Sequence, residues 1–278
     1  MYYSQDKSCD YVLRINADVE DAFGVDRYRE QGVLKLIAGQ PWAVNVLDND
    51  IDAGFCLMQK YKALTDHYDE ARLAQQMVSF LNKLHQLSIM VPSELQKQLA
   101  FNYDELLDNY LHVFKQTQVN KEAFLLISAL REGFKKLPKI EQTLVHQDLH
   151  RKNVCLKSDA NTEQSIVIID WEYGGWASPW LDISALLQCF SVNQQSLQKL
   201  TVLAGLSTQQ LASGCEIAKL INEALACLWY YYRAIRVSFA DNKTGINDNI
   251  ELAELTSQIQ SLLEQFSVLY IRRKEVLK

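Results

Sequence analysis

The sequence predicts an α+β protein of two lobes, a small mixed unit followed by a larger, mostly helical one. Three observations carry that expectation. Strand-type alternation with a single helix fills residues 1–61, and helical periodicity takes over from about residue 65. A short island of β-type runs at 143–170 then interrupts the helices. The lobe boundary is expected near Tyr61–Leu64, giving 1–62 and 63–278. A chain of 278 residues is long enough for either lobe arrangement to bury a sizeable core.

Each element follows from a local pattern. "DYVLRIN" (10–16) alternates Tyr11, Leu13 and Ile15 against Val12 and Arg14, as a strand does. "VDRYREQGVLKLIAG" (25–39) places Val33, Leu34, Leu36 and Ile37 on one side and ends at Gly39 and Pro41, so it reads as a helix. "WAVNVLDND" and "AGFCLMQKY" read as two strands joined by the turn-rich "DNDIDAG". Beyond them, Leu73, Met77, Leu81 and Leu84 recur at spacings of four, four and three, the mark of an amphipathic helix. Helices are also expected at 103–117, 121–136, 181–190, 208–236 and 248–268. In the last, Leu252, Leu255, Ile259, Leu262 and Phe266 form the stripe. "TLVHQ", "VCLK" and "SIVIID" are short strands divided by the polar "SDANTEQ".

Composition narrows the function classes. The chain is 48% hydrophobic and 22% charged, which is globular rather than disordered or fibrous. A formal net charge of −6 argues against nucleic acid as the main partner. The cysteines, Cys9, Cys56, Cys155, Cys189, Cys215 and Cys227, form no CxxC and sit mostly among apolar neighbours. They read as buried thiols in a reducing compartment rather than as a zinc knot. The N-terminal "MYYSQDKSCD" has neither a basic nor an apolar leader region, and no apolar run approaches the roughly 18 residues of a membrane span. The expected location is the cytoplasm, with no membrane partner.

"VHQDLHRKNV" (145–154) and "SIVIIDWE" (165–172) set polar groups at the ends of apolar strands. Three chemistries compete for them. His146, Asp148 and His150 alternate, so on a strand they would share a face and offer zinc ligands, as in a metal hydrolase. An ordinary pair of strands with polar ends is a second reading. The third is phosphoryl transfer, which asks for a carboxylate to take a hydroxyl proton and for hard oxygen ligands to Mg²⁺. Asp148 fits the first role, and Asn153 with Asp170 fits the second, because a hairpin between them brings the two together.

His-x-Asp-x-x-x-x-Asn followed by a strand ending in Asp is the protein-kinase-like pattern. With "HQDLHRKNV" and "IIDWEYGGWASPWLDISALL", the chain resembles the aminoglycoside phosphotransferase/choline kinase superfamily, nearest its bacterial choline kinase and thiamine kinase branch. The resemblance implies a protein-kinase-like fold with a small mixed N-terminal lobe and a mostly helical C-terminal lobe. It implies an ATP- and Mg²⁺-dependent kinase acting on the hydroxyl of choline, ethanolamine or thiamine. Asp148 is then the catalytic base, His146 braces its loop, Asn153 and Asp170 hold magnesium, and Asp182 of "WLDIS" is structural. His150 matches a histidine common in that loop.

The resemblance extends to the first lobe. Arg14 of "YVLRIN" stands where protein kinases carry a phosphate-binding lysine, and Glu30 is its candidate partner. "FCLMQKY" resembles the strand entering the hinge, so the backbone at Gln59, Lys60 and Tyr61 would meet the adenine. "FLNKLHQL" resembles a lobe-two helix in which His85 is packed core. One departure stands out: only ten residues precede "YVLRIN" and none is glycine, whereas the family carries two strands and a phosphate loop there. A chain without that loop is expected to bind ATP poorly, and a pseudokinase or binding module is the rival class. For a cationic acceptor, Glu172 and Glu223 are candidate charge partners and Trp176, Trp180 and Trp229 candidate aromatic faces, against the alternative that these rings pack the core. An aminoglycoside is the alternative acceptor.

Overall fold

Residues 10–16, 23–117, 121–157, 165–240 and 246–276 are described by a computed structural model. The stretch before residue 10, on which the expectation about a phosphate loop falls, and the whole of the polar "SDANTEQ" segment lie outside the described residues. The chain forms two compact units, one from Met1–Asn102 and Ile140–Gly205, the other from Tyr103–Lys139 and Leu206–Lys278. This grouping is a different division from a lobe boundary near residue 62.

In chain order the first unit contains β1 (Tyr11–Ile15), α1 (Arg27–Ile37), β2 (Val46–Asp50), β3 (Phe55–Gln59), β4 (Lys62–Ala63), α2 (Glu70–Ser88) and α3 (Ser93–Gln98). The second unit begins with α4 (Tyr103–Gln116) and α5 (Lys121–Lys136). The chain then returns to the first unit through β5 (Thr143–Val145), β6 (Val154–Lys157), β7 (Ser165–Ile168), β8 (Gly175–Ala177), α6 (Trp180–Cys189) and α7 (Gln194–Leu197). Helices α8 (Thr208–Ala240) and α9 (Ile246–Val276) complete the second unit. Every helix and strand anticipated from periodicity is present, with most ends displaced by a few residues and α9 running eight residues past its expected end at 268. The short elements β4, β8, α3 and α7 carry no periodic signal, being too brief to show one.

Three small sheets frame the first unit. β1, β3 and β2 form an antiparallel sheet in that order, with Arg14 opposite Cys56. β4, β6 and β7 form a second, and β5 pairs with β8 in a third. Asp26 caps α1 by accepting the N–H groups of Tyr28 and Arg29, which fixes where that helix begins. A core of rings lies beneath the β6–β7 hairpin: Trp42 meets Phe80 edge-on at 5.0 Å, and His146 lies 4.6 Å from Trp171. Ser88, at the end of α2, donates to Leu84 O and accepts from Leu144 N, tying the helix to β5. Helix α6 is buried on all sides from Trp180 to Leu186, so its polar residues must find partners inside the protein.

In the second unit, α4, α5, α8 and α9 pack their apolar stripes together, with Leu255, Ile259, Leu262 and Phe266 of α9 all buried. Gly133 of α5 marks a tight crossing, where a Cβ would come within 3.3 Å of Ile221 and Phe266. Among the described residues Cys56, Cys155, Cys189, Cys215 and Cys227 are free thiols, and all but Cys189 are buried, while Cys9 lies outside the described residues. Among the described residues no helix is long and apolar enough to cross a membrane.

His85 lies in the core of α2 at 4% exposure, and neither ring nitrogen finds a hydrogen-bond partner among the described residues. Burial lowers its pKa from the usual 6.5 to about 4. A histidine held neutral this way contributes its full stability above about 6.5 and loses it as pH falls toward 4, because the unfolded chain takes up the proton first. His85→Phe should therefore leave stability at pH 7 unchanged or raised, and flatten the loss between pH 6.5 and 4. Urea unfolding of both proteins at pH 7 and 5 measures this; identical pH slopes would show that His85 is not buried neutral.

Candidate active site

The site grows from the loop that leaves β5. Gln147 adopts a left-handed conformation (φ 70), which a residue with a Cβ holds only when its surroundings impose it, at a cost of about 1–3 kcal/mol. The imposing group is Asp182, in the first turn of α6. Its Oδ2 accepts the backbone N–H of His146 and its Oδ1 that of Gln147, both at 2.7 Å. Burial pushes the Asp182 carboxyl up to about 6, against the pull of those two N–H donors. At neutral pH it is therefore still an anion, as a double acceptor must be. The Gln147 side chain donates to Tyr173 O at 3.0 Å, joining this loop to the segment after β7.

His146 is completely buried and uses both ring nitrogens. Nε2–H donates to Ile169 O at 2.9 Å, and Nδ1 accepts the Asp148 N–H at 3.2 Å. Burial lowers its pKa to about 4, so it is neutral. With both nitrogens engaged it has no lone pair for zinc, which removes it from the His146–Asp148–His150 metal set. Its place is that of a brace between the strand end at Ile169 and the backbone of Asp148.

Asp148 is thereby presented at the loop surface. Its Oδ2 accepts from Asn153 Nδ2 at 2.9 Å, and the same nitrogen donates to Asp148 O at 2.8 Å. His150 Nε2 lies 3.5 Å from Asp148 Oδ2. Burial raises the Asp148 pKa, opposed by His150 and Asn153. Asn153 O accepts the Ile169 N–H at 3.0 Å, which continues the β6–β7 ladder and sets Asn153 beside Asp170. Asp170 itself is left-handed (φ 64). Its pKa is raised by burial, with Arg14 pulling the other way.

A network of charges closes the site. Arg14 makes a two-armed ion pair with Glu30 of α1, at 2.7 and 2.8 Å, and its Nη1 lies 3.6 Å from Asp170 Oδ1. Arg14 and Glu30 are 7% and 2% exposed, so the strand–helix pairing read from the sequence is a buried one. Arg27, which no sequence pattern singled out, donates to Glu30 at 3.0 Å and to Glu172 at 3.2 Å. Burial and the neighbouring Asp170 raise the Glu172 pKa. Three carboxylates, Glu30, Asp170 and Glu172, thus share two arginines, while Asp148 is held by Asn153 and His150. Among the described residues no group of three His, Cys, Asp or Glu side chains is gathered to hold a metal by itself; Asp170 and the Asn153 Oδ1 are the oxygen atoms that could contribute to one.

Other expected residues fall elsewhere. Gln59 N–H donates to Asn45 O and Lys60 N–H to Asp10 O, while the Tyr61 hydroxyl accepts from Asn45 N at 3.0 Å and donates toward Gln59 Oε1 at 3.4 Å. Gln59 and Tyr61 line a cleft of about 280 Å³ with Leu34, Pro41 and Val44. Two of the expected aromatic faces need correction. Trp180 is fully buried in α6, and Trp176 is 9% exposed, with its backbone bonded to Leu99 and Phe101. Both are core rings, because the helix and strand that carry them are buried. Trp229 lies half-buried in α8 of the second unit, where Arg233 covers its ring at 4.9 Å. Glu223 makes an exposed pair with Lys219 at 3.8 Å in the same helix.

Comparison with known proteins decides the family: residues 1–216 match the model of the phosphotransferase enzyme family APH. The chain belongs to that family. It is accordingly a phosphotransferase enzyme with a kinase-like fold. Choline kinase LicA from Streptococcus pneumoniae superimposes with a TM-score of 0.63 at 17% identity, covering 90% of this chain and 86% of that one. LicA is also known in complex with AMP. A choline/ethanolamine kinase family protein from Mesorhizobium loti gives 0.61 at 16% identity, over 95% and 88% of the two chains. The aminoglycoside phosphotransferase APH(2")-IIa, in its gentamicin complex, gives 0.64 at 16% identity, over 92% and 87%. At these identities the likeness is one of fold. No curated protein gives a significant sequence match.

Asp182→Asn tests the clamp. The amide offers one acceptor where two backbone donors need one each, so a buried N–H is left unpaired at a cost of about 1–3 kcal/mol. Equilibrium unfolding should show that loss, and phosphotransfer should fall further than nucleotide affinity, because the displaced loop carries Asp148. Wild-type turnover in the variant would mean that the loop holds its shape without the clamp.

Proposed function

We propose that this enzyme transfers the γ-phosphate of ATP, with Mg²⁺, to the hydroxyl of a small cationic alcohol in the cytoplasm, with choline, ethanolamine or thiamine as the preferred acceptor. The observation that carries the reading is the pairing of Asp148 with Asn153 beside Asp170, held in one arrangement by buried groups that do no chemistry themselves. In this reading Asp148 accepts the hydroxyl proton, supported by burial that raises its pKa in the direction a general base needs. Asn153 spends its Nδ2 on Asp148, leaving Oδ1 for the metal. When bound, Mg²⁺ supplies charge neutralisation at the β- and γ-phosphates. Arg14, fixed by Glu30, is the candidate for the α- and β-phosphates, and the backbone at Gln59–Tyr61 for the adenine.

The choice of acceptor rests on two supports: the "HQDLHRKNV" and "DWEY" wording, and the choline and ethanolamine kinases among the fold neighbours. An aminoglycoside is the second reading, because the gentamicin-bound neighbour superimposes equally well. An ADP-release assay with choline, ethanolamine, thiamine and gentamicin separates them. Turnover with gentamicin alone would overturn the preferred acceptors.

Two substitutions divide the roles within the site. Asp148→Asn should preserve folding and nucleotide binding while lowering turnover by roughly 10²- to 10⁴-fold, the usual worth of a general base. Asp170→Ala should also weaken Mg·ATP binding, since the metal loses an anionic ligand. Full activity in the first would remove Asp148 from the mechanism, and unaltered Mg·ATP affinity in the second would leave Asp170 as a strand-end residue.

A further inference from the structure

The five residues from Asp170 to Gly174 are each tied down, and the ties alternate. Asp170, Glu172 and Gly174 are held by three arginines: Arg14 Nη1 at 3.6 Å from Asp170 Oδ1, Arg27 Nη1 at 3.2 Å from Glu172 Oε2, and Arg29 Nε donating to Gly174 O at 3.0 Å. The intervening residues are held by the core. Trp171 Nε1 donates to Ile168 O at 3.0 Å, and Tyr173 O accepts from the Gln147 side chain. Arg27 and Arg29 both lie in the first turn of α1, whose start is set by the Asp26 cap.

Neither arginine is a surface charge. Arg29 is 9% exposed; it also donates to Gly24 O, and its guanidinium lies 4.6 Å over the Phe101 ring. Gly175 makes room for it, since a Cβ there would stand 3.0 Å from Arg29 Cδ and 2.7 Å from Leu99 O. Arg27 joins Glu172 to Glu30, the same carboxylate that holds Arg14. A lysine cannot replace the Arg29 geometry, in which two nitrogens of the fork reach two carbonyls while its flat face lies over a ring, whereas Arg27 bridges its two carboxylates through Nη1 alone.

We propose that Arg27 and Arg29 are positioning residues that latch helix α1 to the 170–174 segment and hold Asp170 in its left-handed conformation before any nucleotide arrives. The helix that carries Glu30 and the segment that carries Asp170 are thereby one mechanical piece. The phosphate-directed Arg14 and the metal-directed Asp170 then keep their spacing without a closing motion of α1. The inference rests on Asp170 serving the metal, and its test includes a measurement that does not depend on that role.

Amide hydrogen exchange on the full-length, ligand-free protein reads the latch directly. Arg29→Lys and Arg27→Gln should each raise exchange across 168–177 by about tenfold or more, as expected for loss of a hydrogen bond to a charged group, while α2 exchanges as in wild type. Glu172→Gln, altered at the more exposed end of the contact, should reproduce the Arg27→Gln effect, and combining the two should add little. Nucleotide binding titrated with Mg²⁺ should need several-fold more metal in the variants, with Arg27→Lys recovering part of the loss. Unchanged exchange at 168–177, or a rise shared equally by α2, would overturn the latch. If wild-type protein fails to bind Mg²⁺ and nucleotide together, the metal role of Asp170 falls, and the exchange pattern alone judges the latch.

Discussion

A single buried carboxylate sets the geometry of the whole site. Asp182 accepts the N–H groups of two successive residues, His146 and Gln147, and that pair of bonds forces the chain into a turn that Gln147 would not adopt unaided. Once the turn is made, His146 points into the core and bridges Ile169 to the Asp148 backbone, and Asp148 is turned outward toward Asn153. The energy to hold this comes from α6, whose burial on every side leaves the Asp182 carboxylate no acceptor's role except this one. The clamp thus converts hydrophobic packing into the placement of a polar loop.

The same logic explains why strain gathers here. Gln147 and Asp170 are both left-handed, and each is flanked by groups with no freedom to relax: Asp182 on one side, and the Ile169 backbone with the Trp171 indole on the other. Such strain persists only where surrounding contacts overdetermine it, and it gives a rigid arrangement of donors and acceptors in return. Electrostatics adds a second constraint. Burial raises the carboxyl groups of Asp148, Asp170 and Glu172, and their mutual repulsion is relieved only in part by Arg14, Arg27 and His150.

Much of this was legible in the chain. The spacing of His146, Asp148, Asn153 and Asp170 encodes a loop and a hairpin that close locally, within about twenty-five residues. Periodicity marked strand β1 and helix α1, but the pairing of Arg14 with Glu30 was legible only through the resemblance to the kinase-like family. The aromatic candidates were not readable in the same way. A tryptophan after a glycine pair looks identical on the page whether it faces a ligand or a core, and for Trp176 and Trp180 the burial of β8 and α6 decided for the core.

Periodicity and local spacing therefore determined, from the sequence alone, the order of the elements and the pairing of the β6 and β7 strands, while the kinase-like class was legible only through the resemblance carried by "HQDLHRKNV" and "IIDWEYGG". The order and the pairing are short-range properties, written in the apolar pattern and in turn lengths. The roles of Asp182, Arg27 and Arg29 belong to tertiary structure. Asp182 lies 36 residues from His146, and Arg27 lies 145 from Glu172. No local pattern marks such a charge as buried or names its partner, because burial and long-range pairing exist only once the intervening helices and sheets have packed.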